Sequence, residues 1–162
     1  MSIREISLAE APPSHPAARF FQFWKQAAGG LAWVPWQRFD ATEHPAILPW
    51  VLLLRREPDE TGGGVVQWRY AVCGTGCTEL FGFSYQGKLF GEGMPREAAV
   101  ERLAEFQRVI DGAGPLLFLS QLPIPDREFV RVLRGLFPFS TNGDGDIDRL
   151  FVVLAREDAR AD

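Results

Sequence analysis

The chain contains few cysteines and histidines, the residues that form disulfide cross-links in small domains or bind metal ions. Its 162 residues include two cysteines, Cys73 and Cys77, and two histidines, His15 and His44. The spacing of the cysteines is C-x3-C rather than the C-x2-C of common zinc and redox motifs. With 46% hydrophobic residues, the chain can close a core without a disulfide. We expect reduced thiols and a packed Cys77; the alternative is a redox pair on one helical turn.

Long apolar runs and an excess of positive charge are also lacking. The longest apolar run, 47–54, is interrupted by Pro49 and is far shorter than a membrane span. Residues 1–16 have no apolar core of the secretory kind. The 17 Lys and Arg residues against 21 Asp and Glu give a net charge of -4, which provides no general attraction to phosphate. We expect a cytoplasmic protein without membrane insertion and without a nucleic-acid partner.

The length of the chain is that of one domain. Residues 1–16 carry Pro12, Pro13 and Pro16 with little hydrophobic periodicity, so they predict a mobile N-terminal arm. Residues 17–155 form the single predicted domain. Residues 156–162 are expected to be a flexible tail.

An amphipathic helix is predicted over residues 17–28. Its apolar residues recur at helical spacing, and Gly29 with Gly30 is a stop signal. The apolar face docks either on the chain's own sheet or on the same helix of a second chain. In the second case it is the interface of a homodimer or of a partner complex, with these candidate residues: Phe20, Phe23, Trp24 and Ala27.

Period-2 hydrophobicity predicts a hairpin after this helix. The first strand covers residues 47–55, and a glycine-rich turn at 61–64 leads into the second. The second strand alternates large apolar residues with smaller or polar ones, which places one set on the core side. That set is Val66, Trp68, Tyr70 and Val72.

The rest of the chain predicts helices followed by strands. A short helix is predicted over 77–81 and a longer one over 95–111, the latter with an apolar stripe. Three strands follow over 115–122, 128–139 and 148–154, as an antiparallel meander. Strands grouped in this way indicate the α+β class. The stripe of the long helix consists of Val100, Leu103, Phe106 and Ile110.

Short segments spread over most of the chain carry a family resemblance. They are YAVCGT at 70–75, ELFG at 79–82, GKL at 87–89, FQRV at 106–109 before GP at 114–115, and FPFS at 137–140 before GDIDRL at 145–150. Together with Phe23 and Trp24 in their helix, these segments resemble a bacterial subfamily of short, free-standing PAS proteins. The resemblance covers roughly residues 18–155.

The resemblance implies a PAS-like five-stranded antiparallel sheet with helices covering one face, in addition to the N-terminal helix. In some members a small cavity lies between the sheet and the helices, and binding rather than bond-making is the usual activity. Flavin-type members carry an Asn-Cys-Arg motif, which this sequence does not contain. Haem-type members commonly supply a His from the long helix, and residues 95–111 contain none. Haem and flavin are therefore disfavoured, and the cofactor is unknown.

Aromatic residues from several elements are the candidate ligand site. Buried aromatic walls with a phenol or an indole group can enclose and orient a small molecule, and the alternative is a filled core. We expect a stand-alone sensory or regulatory module that binds a small apolar or aromatic ligand and contacts a signalling protein. The cavity candidates are Trp68, Tyr70, Phe81, Tyr85, Phe106 and Ile110.

Two other function classes stay open. One is a small cytosolic enzyme that uses a pocket thiol or carboxylate, and the other is a ligand-free structural dimerisation module. No catalytic or metal-binding residue is assigned. The acidic segment 142–148 resembles the start of a calcium loop, but Val153 stands where such a loop needs Glu, so we interpret the segment as a hairpin turn. Gly74 and Gly76 lack the third glycine of a dinucleotide motif.

Overall fold

The computed structural model of the chain describes residues 2–58 and 66–161. These residues form seven strands and three α-helices. The strands are Arg4–Ile6 (β1), Val34–Pro35 (β2), Val51–Glu57 (β3), Gln67–Cys73 (β4), Leu116–Gln121 (β5), Arg131–Ser140 (β6) and Arg149–Arg156 (β7). The helices are Pro16–Ala28 (α1), Thr75–Phe81 (α2) and Arg96–Arg108 (α3). None of the helices in the described ranges combines the length and the apolar character that a membrane crossing requires.

All the described strands belong to one sheet. The order is β1-β5-β6-β7-β3-β4 with antiparallel neighbours, and β2 pairs in parallel with the end of β6. The predicted α+β class and antiparallel sheet are confirmed. The number of strands, predicted as five, is corrected to seven, because β1 pairs with the outer edge of β5 and β2 with the end of β6. The glycine-rich turn predicted at 61–64 lies outside the described residues.

Both faces of the sheet are buried. In β7, Phe151 and Val153 point to the face covered by α1, while Val152 and Leu154 point to the face covered by α2 and α3. Strand β6 alternates in the same way, with Phe137 on the α1 face. An alternation in which both sets are apolar requires cover on both sides. The sheet is therefore the middle of three layers.

Helix α1 docks on the chain's own sheet. His15 caps its start by accepting a hydrogen bond from the Ala17 amide through Nδ1 at 3.0 Å, and Gly29 ends it in the left-handed region at φ 58°. Phe20 packs edge-on against Phe137, with the ring centroids 4.9 Å apart. Trp24 donates from Nε1 to a backbone oxygen of β6 at 3.0 Å. Of the two docking alternatives, the structure shows the intramolecular one.

The segments predicted as a mobile arm and a flexible tail contact the domain in the structure. Strand β1 pairs with β5, and its Ile6 is buried on the α1 face. His15 is bonded through Nε2 to the backbone oxygen of Arg156 at 3.0 Å. The amide of Ala161 donates to the oxygen of Ser14 at 2.7 Å. The N-terminal segment is therefore anchored on the sheet through Ile6, and it is joined to the C-terminal segment through Ser14 and His15.

Gly74 and Gly76 serve packing. The amide of Gly74 donates to the Val51 oxygen at 2.8 Å, and a Cβ at this position would overlap the backbone of Pro49. A Cβ on Gly76 would lie 2.7 Å from the ring of Trp50. Only glycine allows α2 to approach the preceding chain so closely. The glycine pair is therefore explained without a phosphate.

Helix α3 presents a different face from the one predicted. Val100 and Leu103 are exposed, and of the predicted stripe only Phe106 is fully buried. Two charged residues, Arg102 and Glu105, are buried with it. The apolar periodicity predicted the wrong buried face of α3, because the face that packs on the sheet carries Glu105, which pairs with a charged residue of β6. The buried residues of the helix are Ala98, Arg102, Glu105 and Phe106.

The two buried histidines predict loss of stability in mild acid. Burial lowers the pKa of His15, opposed by its bond to the Arg156 backbone, and burial also lowers the pKa of His44 below the ordinary 6.5. Below about pH 6.5 the unfolded chain therefore binds protons that the folded chain does not. The free energy of unfolding should be constant between pH 7 and pH 8, and below about pH 6.5 it should fall by up to about 1.4 kcal/mol per pH unit for each histidine.

Urea unfolding between pH 5 and pH 8 measures this slope. The variant His15→Asn keeps a capping side chain and should remove the share that His15 contributes. If the free energy of unfolding of the wild type does not fall between pH 6.5 and pH 5, the two histidines are not buried as neutral imidazoles.

Candidate functional site

A cavity of about 50 Å³ lies between the sheet and helix α3. Its floor is formed by strands β3, β6 and β7, and its roof by α3 with Phe106. Because one water needs about 10–15 Å³ of such space, the cavity holds a group of roughly four non-hydrogen atoms. The floor residues are Leu52, Leu54, Leu136, Val152 and Leu154.

Four of the six predicted cavity residues line this space. They are Tyr70, Phe81, Tyr85 and Phe106. Trp68 belongs to the same core, where its ring packs edge-on against Phe106 with the centroids 6.2 Å apart, but it does not reach the cavity. Ile110 is half-buried against this core and also lies outside the lining. The structure thus brings most of the predicted aromatic wall together.

Tyr85 is placed in the cavity by backbone pairing at the edge of β4. The amide of Gly87 donates to the oxygen of Tyr70 at 2.8 Å, and the amide of Tyr70 donates to the oxygen of Lys88 at 2.9 Å. The rings of Tyr70 and Tyr85 then stack with their centroids 4.9 Å apart. Burial raises the pKa of both phenols, while the charge of Arg102 acts in the opposite direction. Both therefore stay protonated, and the Tyr85 hydroxyl finds no hydrogen-bond partner in the described chain.

A buried ion pair fixes α3 on the sheet beside the cavity. Arg134 of β6 donates from Nη1 and Nη2 to the two carboxylate oxygens of Glu105 at 2.6 and 2.9 Å. Its Nε donates to Ser120 Oγ at 3.0 Å, and its guanidinium lies 4.8 Å from the ring of Phe118. Because the geometry is bidentate and Nε also has an acceptor, this charge is compensated where it is buried.

Arg102 has no comparable partner. Its side chain lines the cavity, the residue is only 5% exposed, and Nη2 reaches the oxygen of Gln121 at 3.4 Å. Nη1 has no hydrogen-bond partner among the described residues. Burial, with a smaller effect from the charge of Arg134, lowers the pKa of Arg102 to about 10. The charges of Glu105 and Glu101 act in the opposite direction, so the guanidinium remains charged at neutral pH. It lies at the cavity wall without an ion pair among the described residues.

The thiols are placed for packing. Cys77 is fully buried, and its Sγ donates to the backbone oxygen of Leu154 at 3.6 Å. Burial raises the pKa of Cys77 well above its ordinary value, so it stays a neutral thiol. Cys73 is half-buried, with its Sγ 3.4 Å from Thr78 Oγ1. Neither thiol is among the cavity-lining residues of the described chain.

The acidic turn after β6 uses its carboxylates internally. Asp146 pairs with Arg56 at 2.6 Å, and Asp148 Oδ1 accepts from the amide of Thr141 at 2.9 Å. Asp144 Oδ1 accepts from the amide of Asp146 at 3.0 Å. Within the described ranges, no three His, Cys, Asp or Glu side chains are grouped closely enough to hold a metal ion.

Sequence reasoning missed the polar part of the site. Arg102, Ser120 and Arg134 all line the cavity, and none belongs to an apolar pattern. One signal was available, because Arg134 stands in a strand that is otherwise almost wholly apolar. A charge in such a strand indicates a buried partner, although it does not say which element supplies it.

No protein-family model matches this chain, and no curated protein matches it either. The cavity and its polar groups are therefore interpreted from their own geometry and chemistry.

Removing the ring that roofs the cavity should be costly. Phe106→Ala should lower the free energy of unfolding by roughly 3–5 kcal/mol, because it takes a buried ring out of the interface between α3 and the sheet. Leu103→Ala is the matched control on the exposed side of the same helix and should cost less than about 1 kcal/mol. Equal losses in urea unfolding would show that α3 does not present Phe106 to the sheet.

Removing one partner of the buried ion pair should lower the free energy of unfolding more than replacing both partners with apolar residues. Glu105→Leu leaves the Arg134 guanidinium buried and unpaired, so we expect a loss of about 3–5 kcal/mol. The double variant Glu105→Leu, Arg134→Met removes both charges and should recover most of that loss. The single variant Arg134→Met completes the cycle. If calorimetric or urea measurements give the double variant a loss equal to the sum of the losses in the two single variants, the pair is not buried as described.

Proposed function

We propose that this chain is a PAS-type sensory or regulatory module that binds a small molecule in the cavity under α3 and transmits binding through protein contact. The observation that carries the proposal is a cavity whose walls combine buried aromatic rings with two buried donor groups that have no partner in the described chain. The large majority of buried polar groups in structural cores have a hydrogen-bond partner. A site that leaves them free is suited to a ligand that completes them.

The place of the cavity supports the PAS assignment. The resemblance implies an antiparallel sheet with helices on one face and, in some members, a cavity between them. This chain has an antiparallel sheet, and its cavity lies between that sheet and α3. Helix α1 packs on the opposite face of the sheet and contributes no residue to the lining of the cavity.

The path from ligand to partner would run through α3. Arg102 lines the cavity and lies one helical turn before Glu105. Glu105 is paired with Arg134, which also donates to Ser120. The helix ends in a wide turn, Val109–Ala113, in which Gly112 has a φ of 105°; turns of this kind are common at helix C-termini. A ligand that binds more tightly to one position of α3 would shift the population toward that position.

The outward side of α3 is where a partner would sense the change. Val100 and Leu103 are both exposed there, at 58% and 40% of their surface. The residues predicted from the sequence as a dimer or partner interface are poorly exposed for such a contact. Phe20 and Trp24 are buried on the chain's own sheet, and Phe23 and Ala27 are half-buried. The expected homodimer or signalling complex would therefore use another surface than these residues.

Native mass spectrometry, compared with the denatured mass, tests the ligand and the oligomeric state together. We expect an added mass at a defined stoichiometry, which is lost on denaturation. The variant Leu122→Phe adds volume to the cavity wall and should remove the added mass while the protein stays folded. A wild-type protein that carries no added mass, whether monomeric or dimeric, would contradict the ligand-binding part of the proposal.

A further inference from the structure

The cavity under α3 holds one more positive charge than its walls compensate. Of the two arginines that line it, Arg134 is neutralised by Glu105. The charges of Glu105 and Glu101 act on Arg102 from a longer range, but its hydrogen bond within the described ranges is a long one, to the neutral oxygen of Gln121 at 3.4 Å. Burying a charge without a counter-ion is costly. The missing partner of this cavity is therefore an anion.

Two donors point to the form of that anion. Among the described residues, the buried side-chain polar atoms without a partner are His44 Nε2, Tyr85 Oη and Arg102 Nη1. The last two line the same small cavity. A guanidinium nitrogen only donates, and a phenol donates its proton to any stronger acceptor, so an acceptor with two oxygens satisfies both. A carboxylate has this form.

The rest of the lining is largely apolar and therefore disfavours an inorganic anion such as phosphate or sulfate. Phe81, Phe90, Met94, Phe106 and Leu122 surround the donors with apolar surface. Phosphate and sulfate have acceptors on every side and would leave several of them unpaired here. An apolar body on the ligand would instead match these walls. The cavity volume of about 50 Å³ leaves room for a body of only about one or two carbon atoms beside the carboxylate.

We propose that the cavity binds a small organic carboxylate, whose oxygens accept hydrogen bonds from Arg102 Nη1 and Tyr85 Oη and whose apolar body contacts the aromatic walls. This inference rests on the proposed function and names the chemical class of its ligand. Arg102 is then a binding residue that is kept without a partner so that the ligand can supply one. Such a residue lowers the stability of the empty protein in exchange for affinity.

Titration with sodium propionate tests the class, with propionamide as an uncharged probe of the same shape. At equal ionic strength, set with sodium chloride, calorimetry or NMR should show propionate binding at least about tenfold more tightly than propionamide, because the bond to a charged donor is lost in the amide. Propionate should also raise the Tm of the wild type.

Two variants and one control locate the effect. Arg102→Met should abolish the preference for propionate, and Tyr85→Phe should weaken propionate binding by about threefold to tenfold. Arg96→Met is the same substitution at an exposed position of the same helix and should change neither. Without ligand, Arg102→Met should have a Tm equal to or above that of the wild type, because it removes an unpaired buried charge. A purely structural arginine would give a lower Tm.

The outcomes separate this inference from the function on which it rests. Equal binding of propionate and propionamide by the wild type and by Arg102→Met would overturn the carboxylate class and leave a cavity that binds neutral molecules. No binding of either probe would overturn the class as well, and the native mass would still decide whether the cavity holds a ligand. A native mass that identifies a neutral ligand would overturn the class alone.

Discussion

Strands β6 and β7 are buried on both faces, and the other elements of the fold either cover those faces or extend the sheet. Phe137 and Phe151 require the cover that α1 provides with Phe20. Leu136 and Val152 on the opposite side require the cover of α2 and α3. Gly135 makes the α1 side possible, because a Cβ there would lie 2.6 Å from the Phe137 ring. The three-layer arrangement follows from this two-sided burial.

The two covers of the sheet differ in chemistry. The α1 side is closed by aromatic packing, together with hydrogen bonds from Trp24 to the backbone of β6 and between His15 and the backbone oxygen of Arg156 in β7. The α3 side contains a charge in the middle of β6, and Glu105 is buried to meet it. Arg102 adds a second buried charge, which forms no ion pair within the described ranges and whose Nη1 lacks a hydrogen-bond partner. The unfilled space and the unpaired guanidinium therefore occur together on one side, where a ligand would supply both volume and counter-charge.

The sequence predicted the class, the order of most elements and much of the aromatic wall, because alternation and turn residues follow from local chemistry. It failed where non-local pairing decides. Val72 was placed inside with Tyr70, but a register shift between β3 and β4 adds Ala71 and turns Val72 outward, where it is 42% exposed. The arm at 1–16 was assigned no strand, because pairing with β5 depends on an edge that lies far away in sequence. Arg102 was missed because its burial has no apolar signature.

X-ray crystallography of the protein, purified without added ligand and resolved finely enough to show ordered waters, tests the central claim most directly. We predict density larger than a water molecule in the cavity under α3, within hydrogen-bond distance of Arg102 Nη1 and Tyr85 Oη. Such density would also show which chemical group completes the two donors. A cavity closed by Arg102 turning to a carboxylate of the chain, with Tyr85 bonded to the protein, would contradict the account. The fold would then need no ligand to satisfy its buried groups.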